Sequence, residues 1–286
     1  ELALAPASRY SSVRVMRLVG KIAVLFALGA VAPACGATKP AASPLAYSEN
    51  AKIEYDRALK SFFDKDWEEA ALLFREVKRK YGYSRYARLA DLRLADIEFK
   101  QDKFAESISA YKAFIQDYPN DPDVPYARYR VSKALFEQSA PTMLLPPLEE
   151  RDLANVYDAY DTIRAFLGDF PHYKRARELE YMLEMVAGLL ARHELYVARF
   201  YLARGNFPAA VARCQYALRT YEGSGLEAEA MLLLGETYMK MHKRKKARTV
   251  LRQLLSLYPE SAFGVPAKGF LRLMQDDAVV PPAPLK

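Results

Sequence analysis

The sequence predicts an all-α fold of stacked helix pairs, and three observations predict it. Asp102 to Pro119 reads as one amphipathic helix with a stop. Phe104, Ser107, Ile108, Tyr111, Phe114 and Ile115 recur at three- and four-residue steps and share one face. Pro119 has no amide proton and clashes with the preceding turn, so the helix ends there. The same phrase returns along the chain, as Trp67, Ala70, Phe74 and Val77, then Ala159, Ile163, Phe166 and Pro171. A worn copy follows at Ala210, Cys214 and Ala217, and a clean one at Ala247, Leu251, Leu254 and Pro259. A further helix precedes these copies, its small residue twelve positions ahead of the next small one: Ala58 before Ala70, Ala95 before Ser107, Ala198 before Ala210 and Gly235 before Ala247. Small residues there let two helices approach closely. Steps of 37 residues separate Ala70 from Ser107 and Ala210 from Ala247. Paired helices with a period in the thirties and a closing Pro form the tetratricopeptide pattern. The expected architecture is a tetratricopeptide-repeat superhelix of five helix pairs and a C-terminal capping helix.

In chain order, Met16 to Lys21 is short and positive, and Ile22 to Val31 is apolar but short for a bilayer span. Small residues Ala32-Pro33-Ala34 follow, so residues 1–34 read as an upstream extension and a secretory signal sequence, with Met16 the expected start. Cys35 stands directly after them, where bacterial lipoproteins carry their lipid-modified cysteine; the alternative is an ordinary small-residue cleavage site. Several acyl chains at about 0.8 kcal/mol per buried methylene would anchor the chain firmly. Gly36, not Asp, follows, which in the bacterial sorting pattern points to the outer membrane. Residues 35–50 are expected to be a proline-broken tether, with Ser48 or Asn50 capping the first helix.

The solenoid is expected over 51–275. Repeat one runs to about Tyr83 and repeat two from Ser84 to Asn120. Repeat three opens with a helix from Tyr126 to Gln138, is interrupted by the apolar, proline-rich run Pro141 to Pro147, and resumes from Asp152 to Gly168. Tyr173 to Arg204 holds no Pro and reads as one long helix joining repeats three and four. Repeat four turns at Arg204-Gly205-Asn206, repeat five closes at Tyr258-Pro259, and a capping helix is expected from about Ala262 to Met274. Residues 276–286, with Pro281, Pro282 and Pro284, are expected to be a disordered tail.

The net charge of +7 falls to +4 without residues 1–35, too mild to argue for nucleic acid. His172, His193 and His242 are scattered, and none stands at metal-ligand spacing from a Cys or carboxylate. No nucleophile elbow or His-Glu-x-x-His run is present, so no enzyme, cofactor or metal is expected. Cys214 falls on an apolar helix face and reads as a small buried hydrophobe. The run His242 to Arg248 reads as a solvated turn, with an acidic partner or anionic headgroups as the alternative and nucleic acid a distant third.

The first helix of each repeat is expected to line an inner groove. In its first half, Lys52, Tyr55, Leu59, Phe62, Phe63, Leu89, Leu92, Phe99, Tyr126 and Tyr129 suit an extended apolar peptide, unless half of them pack into neighbouring repeats. In its second half, Arg199, Glu229, Glu236 and Lys240 make the groove charged. Two different partners would explain that split.

The stretches Tyr126-Ala127-Arg128-Tyr129, Leu167 to Pro171 and Glu194 to Phe207 carry a resemblance. Together with the signal sequence, the cysteine and the interrupted third repeat, they resemble the BamD (ComL) family of outer-membrane β-barrel assembly lipoproteins, over about Tyr47 to Ala262. The resemblance implies a lipid-anchored scaffold whose C-terminal repeats dock on a POTRA domain of a BamA-type barrel protein, beside other lipoproteins of that complex. It also implies that the N-terminal repeats receive the C-terminal segments of unfolded outer-membrane proteins, and it places Arg213 where the family pairs with a POTRA carboxylate. Tyr221-Glu222-Gly223 replaces the usual Tyr-Pro close, and the third-repeat insert is apolar where the family's is polar. Pilus pilotins and cell-division or peptidoglycan coordinators share the same parts and are the alternative.

Overall fold

The computed structural model describes residues 43–139 and 152–276, all-helical among them. The signal sequence, Cys35, the insert from Pro141 to Pro147 and the tail beyond Asp276 lie outside the described residues. Eleven helices follow in order: α1 (Pro44–Phe63), α2 (Trp67–Lys80), α3 (Arg85–Lys100), α4 (Phe104–Asp117), α5 (Val124–Ser139), α6 (Ala154–Asp169), α7 (Ala176–Ala203), α8 (Phe207–Thr220), α9 (Glu227–Lys240), α10 (Arg244–Leu257) and α11 (Gly264–Asp276). They form five antiparallel pairs and a cap, the tetratricopeptide superhelix.

The start differs from the expected tether. α1 begins at Pro44, with Ser43 Oγ accepting from the Ala46 amide at 3.2 Å. A proline at the first helical position has its φ preset and lacks only an amide that would be orphaned anyway, so the residue that would break a tether starts a helix. Ser48 and Asn50 lie inside α1. Other starts use Asp66, Ser84 and Asn206 as caps for α2, α3 and α8.

The small residues sit at the closest approaches. Ala58, Ala95 and Ala198 are fully buried, and so is Ser132, which stands 37 residues beyond Ala95 in α5. Ser107 Oγ donates to the Ala95 carbonyl at 3.0 Å across the α3–α4 seam. At Gly235 a Cβ would come within 2.6 Å of the Leu251 side chain, so this pair tolerates no side chain on α9. The 37-residue step also marks the backbone. Lys65 and Asp102, then Gly205 and His242, occupy the same place in the turns within repeats, all with φ between 56° and 73°.

The expected long helix is α7, with 28 residues. At 1.5 Å per residue it spans about 42 Å. Its first half packs on α6 and α5 and its second on α8 and α9. Gly188 lies where a Cβ would stand 3.3 Å from the Ser224 carbonyl, so its absence admits the loop between repeats four and five.

Candidate functional site

The curvature follows from which helices touch. Successive first helices approach one another, α1 with α3, α5 with α7, α7 with α9 and α9 with α11, whereas the second helices make no comparable contacts with each other. First helices therefore line the inner face and second helices splay outside. Between α3 and α5 the backbones stay farther apart, and side chains bridge the space.

The bridge is a cluster around Asp96 of α3, a carboxylate only 2% exposed. It accepts from Arg93 Nη1 at 2.7 Å, from Arg130 Nε at 3.1 Å and from the Tyr126 hydroxyl at 2.7 and 2.9 Å, and also from the Tyr111 hydroxyl. Arg130 donates to Tyr111 Oη at 2.9 Å and lies 4.0 Å over the Phe99 ring. Burial first, and then the Asp96 charge, push the phenols of Tyr111 and Tyr126 upward, so both remain protonated donors. Burying a carboxylate is costly unless it is paired and hydrogen-bonded, and here four donor side chains surround it.

Of the expected groove aromatics, one stands open. Phe63 is 74% exposed. Phe62, Phe99 and Tyr126 are half-buried, against Trp67, Phe104 and the Asp96 cluster respectively. Tyr55, Leu92 and Tyr129 are buried, which corrects the expectation of an open apolar surface at those three places. Tyr55 packs on Phe74 and Tyr86 with ring centroids 5.5 and 5.6 Å away, and Tyr129 packs on Tyr173 and donates to Glu178 at 2.8 Å. These rings fill the seams between neighbouring helices, so the inner wall is more polar than its sequence suggested.

Sequence reasoning missed Arg93, Asp96, Tyr111 and Arg130. A signal existed: Asp96 directly follows the buried small residue Ala95. The same place holds Lys133, Arg199 and Glu236 in later repeats. Asp96, Lys133 and Arg199 tie consecutive first helices together. Asp96 of α3 pairs with Arg130 of α5, Lys133 of α5 with Glu178 of α7 at 2.5 Å, and Arg199 of α7 with Glu229 of α9. In repeat one the place is Leu59, and the α1–α3 join is aromatic instead.

The other residues expected to meet a partner lie in the second half. Arg213 of α8 donates to Glu194 of α7 at 3.1 Å; Glu194 is 2% exposed, while close to half of the Arg213 side chain remains open. Its hydrogen bond to Glu194 holds the guanidinium pKa above the usual value. Arg199 is engaged with Glu229, Glu236 is half-buried and Lys240 exposed, both on α9. Burial raises the Cys214 thiol to about 12, so it is an inert core group. Among the described residues no group of His, Cys, Asp and Glu is placed to hold a metal ion, and no helix is long and apolar enough to cross a membrane.

A family profile described as outer membrane lipoprotein, YfiO, matches residues 48–254, which leaves α11 beyond the match. The outer membrane protein assembly factor BamD of Caulobacter vibrioides is 28% identical over 266 residues, covering 92% of this chain and 83% of that protein. Its counterpart in Xylella fastidiosa (strain Temecula1) is 26% identical over 211 residues, covering 72% and 71%. That of Neisseria meningitidis serogroup B is 24% identical over 248 residues, covering 85% and 93%. Among solved structures, the TPR2AB domain of yeast Sti1 in its pHSP90 complex gives a TM-score of 0.41 at 11% identity, covering 80% of this chain and 85% of that one.

Proposed function

The chain belongs to the YfiO family of outer membrane lipoproteins, and from that premise we propose that it is a non-enzymatic adaptor of outer-membrane protein assembly. It is anchored through lipid on Cys35 at the periplasmic face of the outer membrane. Its second half docks on a POTRA domain of a BamA-type barrel protein, alongside other lipoproteins of the complex. Its first half receives C-terminal segments of unfolded barrel proteins. The observation that carries this reading is the family match over 48–254, which spans most of a continuous repeat solenoid whose inner face changes character along its length.

The docking surface is assigned to Arg213, Glu236 and Lys240, with Arg199 holding α9 in place through Glu229. Arg213 uses one edge of its guanidinium on Glu194 and keeps the other outward. Reversing it to Glu would set a second carboxylate against a buried one, so the informative substitution is Arg213→Lys. Lysine keeps a charge for Glu194 but loses the planar fork that grips a partner carboxylate. The test is co-purification from gently solubilised membranes of wild type, Arg213→Lys and the pair Glu236→Lys with Lys240→Glu. The wild type is expected to bring down a POTRA-bearing barrel protein, and both variants to lose most of it while keeping native helicity. Recovery of a secretin or a peptidoglycan synthase by the wild type would overturn the reading.

A further inference from the structure

The net charge of this chain is concentrated at one end. Between Lys240 and Arg272 there are nine Lys and Arg residues against the single Glu260, a net of +8, while the chain as a whole carries +7. With Asp276 and Asp277 included the end still holds +6. α10 itself contains five basic residues and no acidic one. Its first turn reads Arg244-Lys245-Lys246 behind Lys243, which makes no side-chain cap. At the equivalent place α2 has an Asp66 cap with Glu68 and Glu69, the arrangement that offsets the helix dipole. In α10 the dipole adds to the positive field. Among the described residues, Lys243, Lys245, Arg252, Lys268 and Arg272 have no carboxylate partner, and Lys246 rests 5.8 Å over the Tyr238 ring.

α11 continues this surface. It doubles back along α10, its start at Gly264 lying against Leu255, and packs on α9 and α10 through Ala267 and Met274. Its other face is open. Val265 is 76% and Leu273 58% exposed, with Lys268 and Arg272 between them also exposed. Apolar tips interleaved with cations on one helix face match a bilayer interface, where the tips enter the headgroup layer and the cations meet phosphates. An acidic protein would be matched by charge alone and gives no role to Val265 and Leu273.

We propose that the turn between α9 and α10, together with the outer face of α11, docks on anionic phospholipid headgroups. The proposal rests on membership of an outer membrane family for the presence of a bilayer, but not on the adaptor role. It gives the repeat solenoid a second attachment at its C-terminal end, independent of any lipid at Cys35.

The test is sedimentation of the full-length protein with vesicles of phosphatidylcholine alone and of phosphatidylcholine mixed with phosphatidylglycerol. An acyl anchor contributes equally to both, and the basic N-terminal segment contributes the same to wild type and variants, so the readout is the change in anionic preference that the substitutions cause. The wild type is expected to prefer them by tenfold or more at low salt, and high salt is expected to remove the preference. Each charge at such a surface contributes about fivefold, so Lys268→Gln with Arg272→Gln, and separately Lys245→Gln with Lys246→Gln, should each lower the preference by roughly tenfold or more. Leu273→Ser with Val265→Ser should weaken binding to the anionic vesicles at both salt levels. All these side chains are exposed and the variants should keep native circular dichroism. Equal partition of the wild type into both vesicle types, or wild-type preference in the charge variants, would overturn the proposal. So would binding to polyglutamate with no preference for phosphatidylglycerol, which would mark the surface as a protein-docking one.

Discussion

Asp96 holds together the part of the inner wall where α3 and α5 lack close backbone contact. Its four donors come from three helices, so the carboxylate sets the spacing of repeats two and three. Asp96→Asn keeps the shape but removes the charge that balances two arginines in a largely buried site. Breaking a buried charge cluster costs about 3 kcal/mol or more. The variant is expected to show a urea midpoint lowered by that much stability, with Asp96→Asn, Arg130→Gln less destabilised than the two single changes sum to, because one uncompensated charge is withdrawn. Full additivity in that double-mutant cycle would show that Asp96 and Arg130 act separately. The cluster was hidden from sequence reasoning because helical carboxylates are solvated by default. Only the buried neighbours Ala95 and Ile97 mark this one as turned inward.

At the scale of the helix pair, the small-residue step was legible in full, since it depends on local spacing and on a packing rule that the sequence displays directly. Gly235 is its tightest case. Gly235→Ala gains about 1 kcal/mol of intrinsic helix propensity but drives a methyl into Leu251, which is fully buried and has nowhere to move. Overpacking of that kind costs about 1–3 kcal/mol, so a net loss of stability is expected in thermal or urea unfolding. Leu251→Ala alone leaves a cavity and costs about 2–5 kcal/mol; added to Gly235→Ala it should cost distinctly less, because the new methyl occupies part of the vacated space. A stabilised Gly235→Ala would contradict the close approach. What spacing could not show is which groove aromatics stay open. Tyr55, Leu92 and Tyr129 stand at the same registers as solvent-facing residues would, and only the separation of neighbouring first helices decides whether a ring is swallowed by the seam.

Across the whole molecule, one position past the small residue carries Asp96, Lys133 and Arg199, each joined to the next first helix by an ion pair, whereas Leu59 in repeat one leaves the first join aromatic. The solenoid therefore has an aromatic start, an ionic middle and a basic end. Charges on a repeated surface look alike in a sequence, and their pairing across repeats appears only when the curvature is known. This gradient gives the two halves of the inner face different chemistry, which is the physical basis on which two partners are proposed.

That division is tested most directly by placing a photo-crosslinking residue at Phe63 in the first half and at Lys240 in the second, both exposed, in living cells. Phe63 is expected to capture unfolded barrel proteins and Lys240 a POTRA-bearing barrel protein, with little exchange between them. Capture of the same partner from both positions, or of unfolded barrel proteins from Lys240 alone, would contradict it.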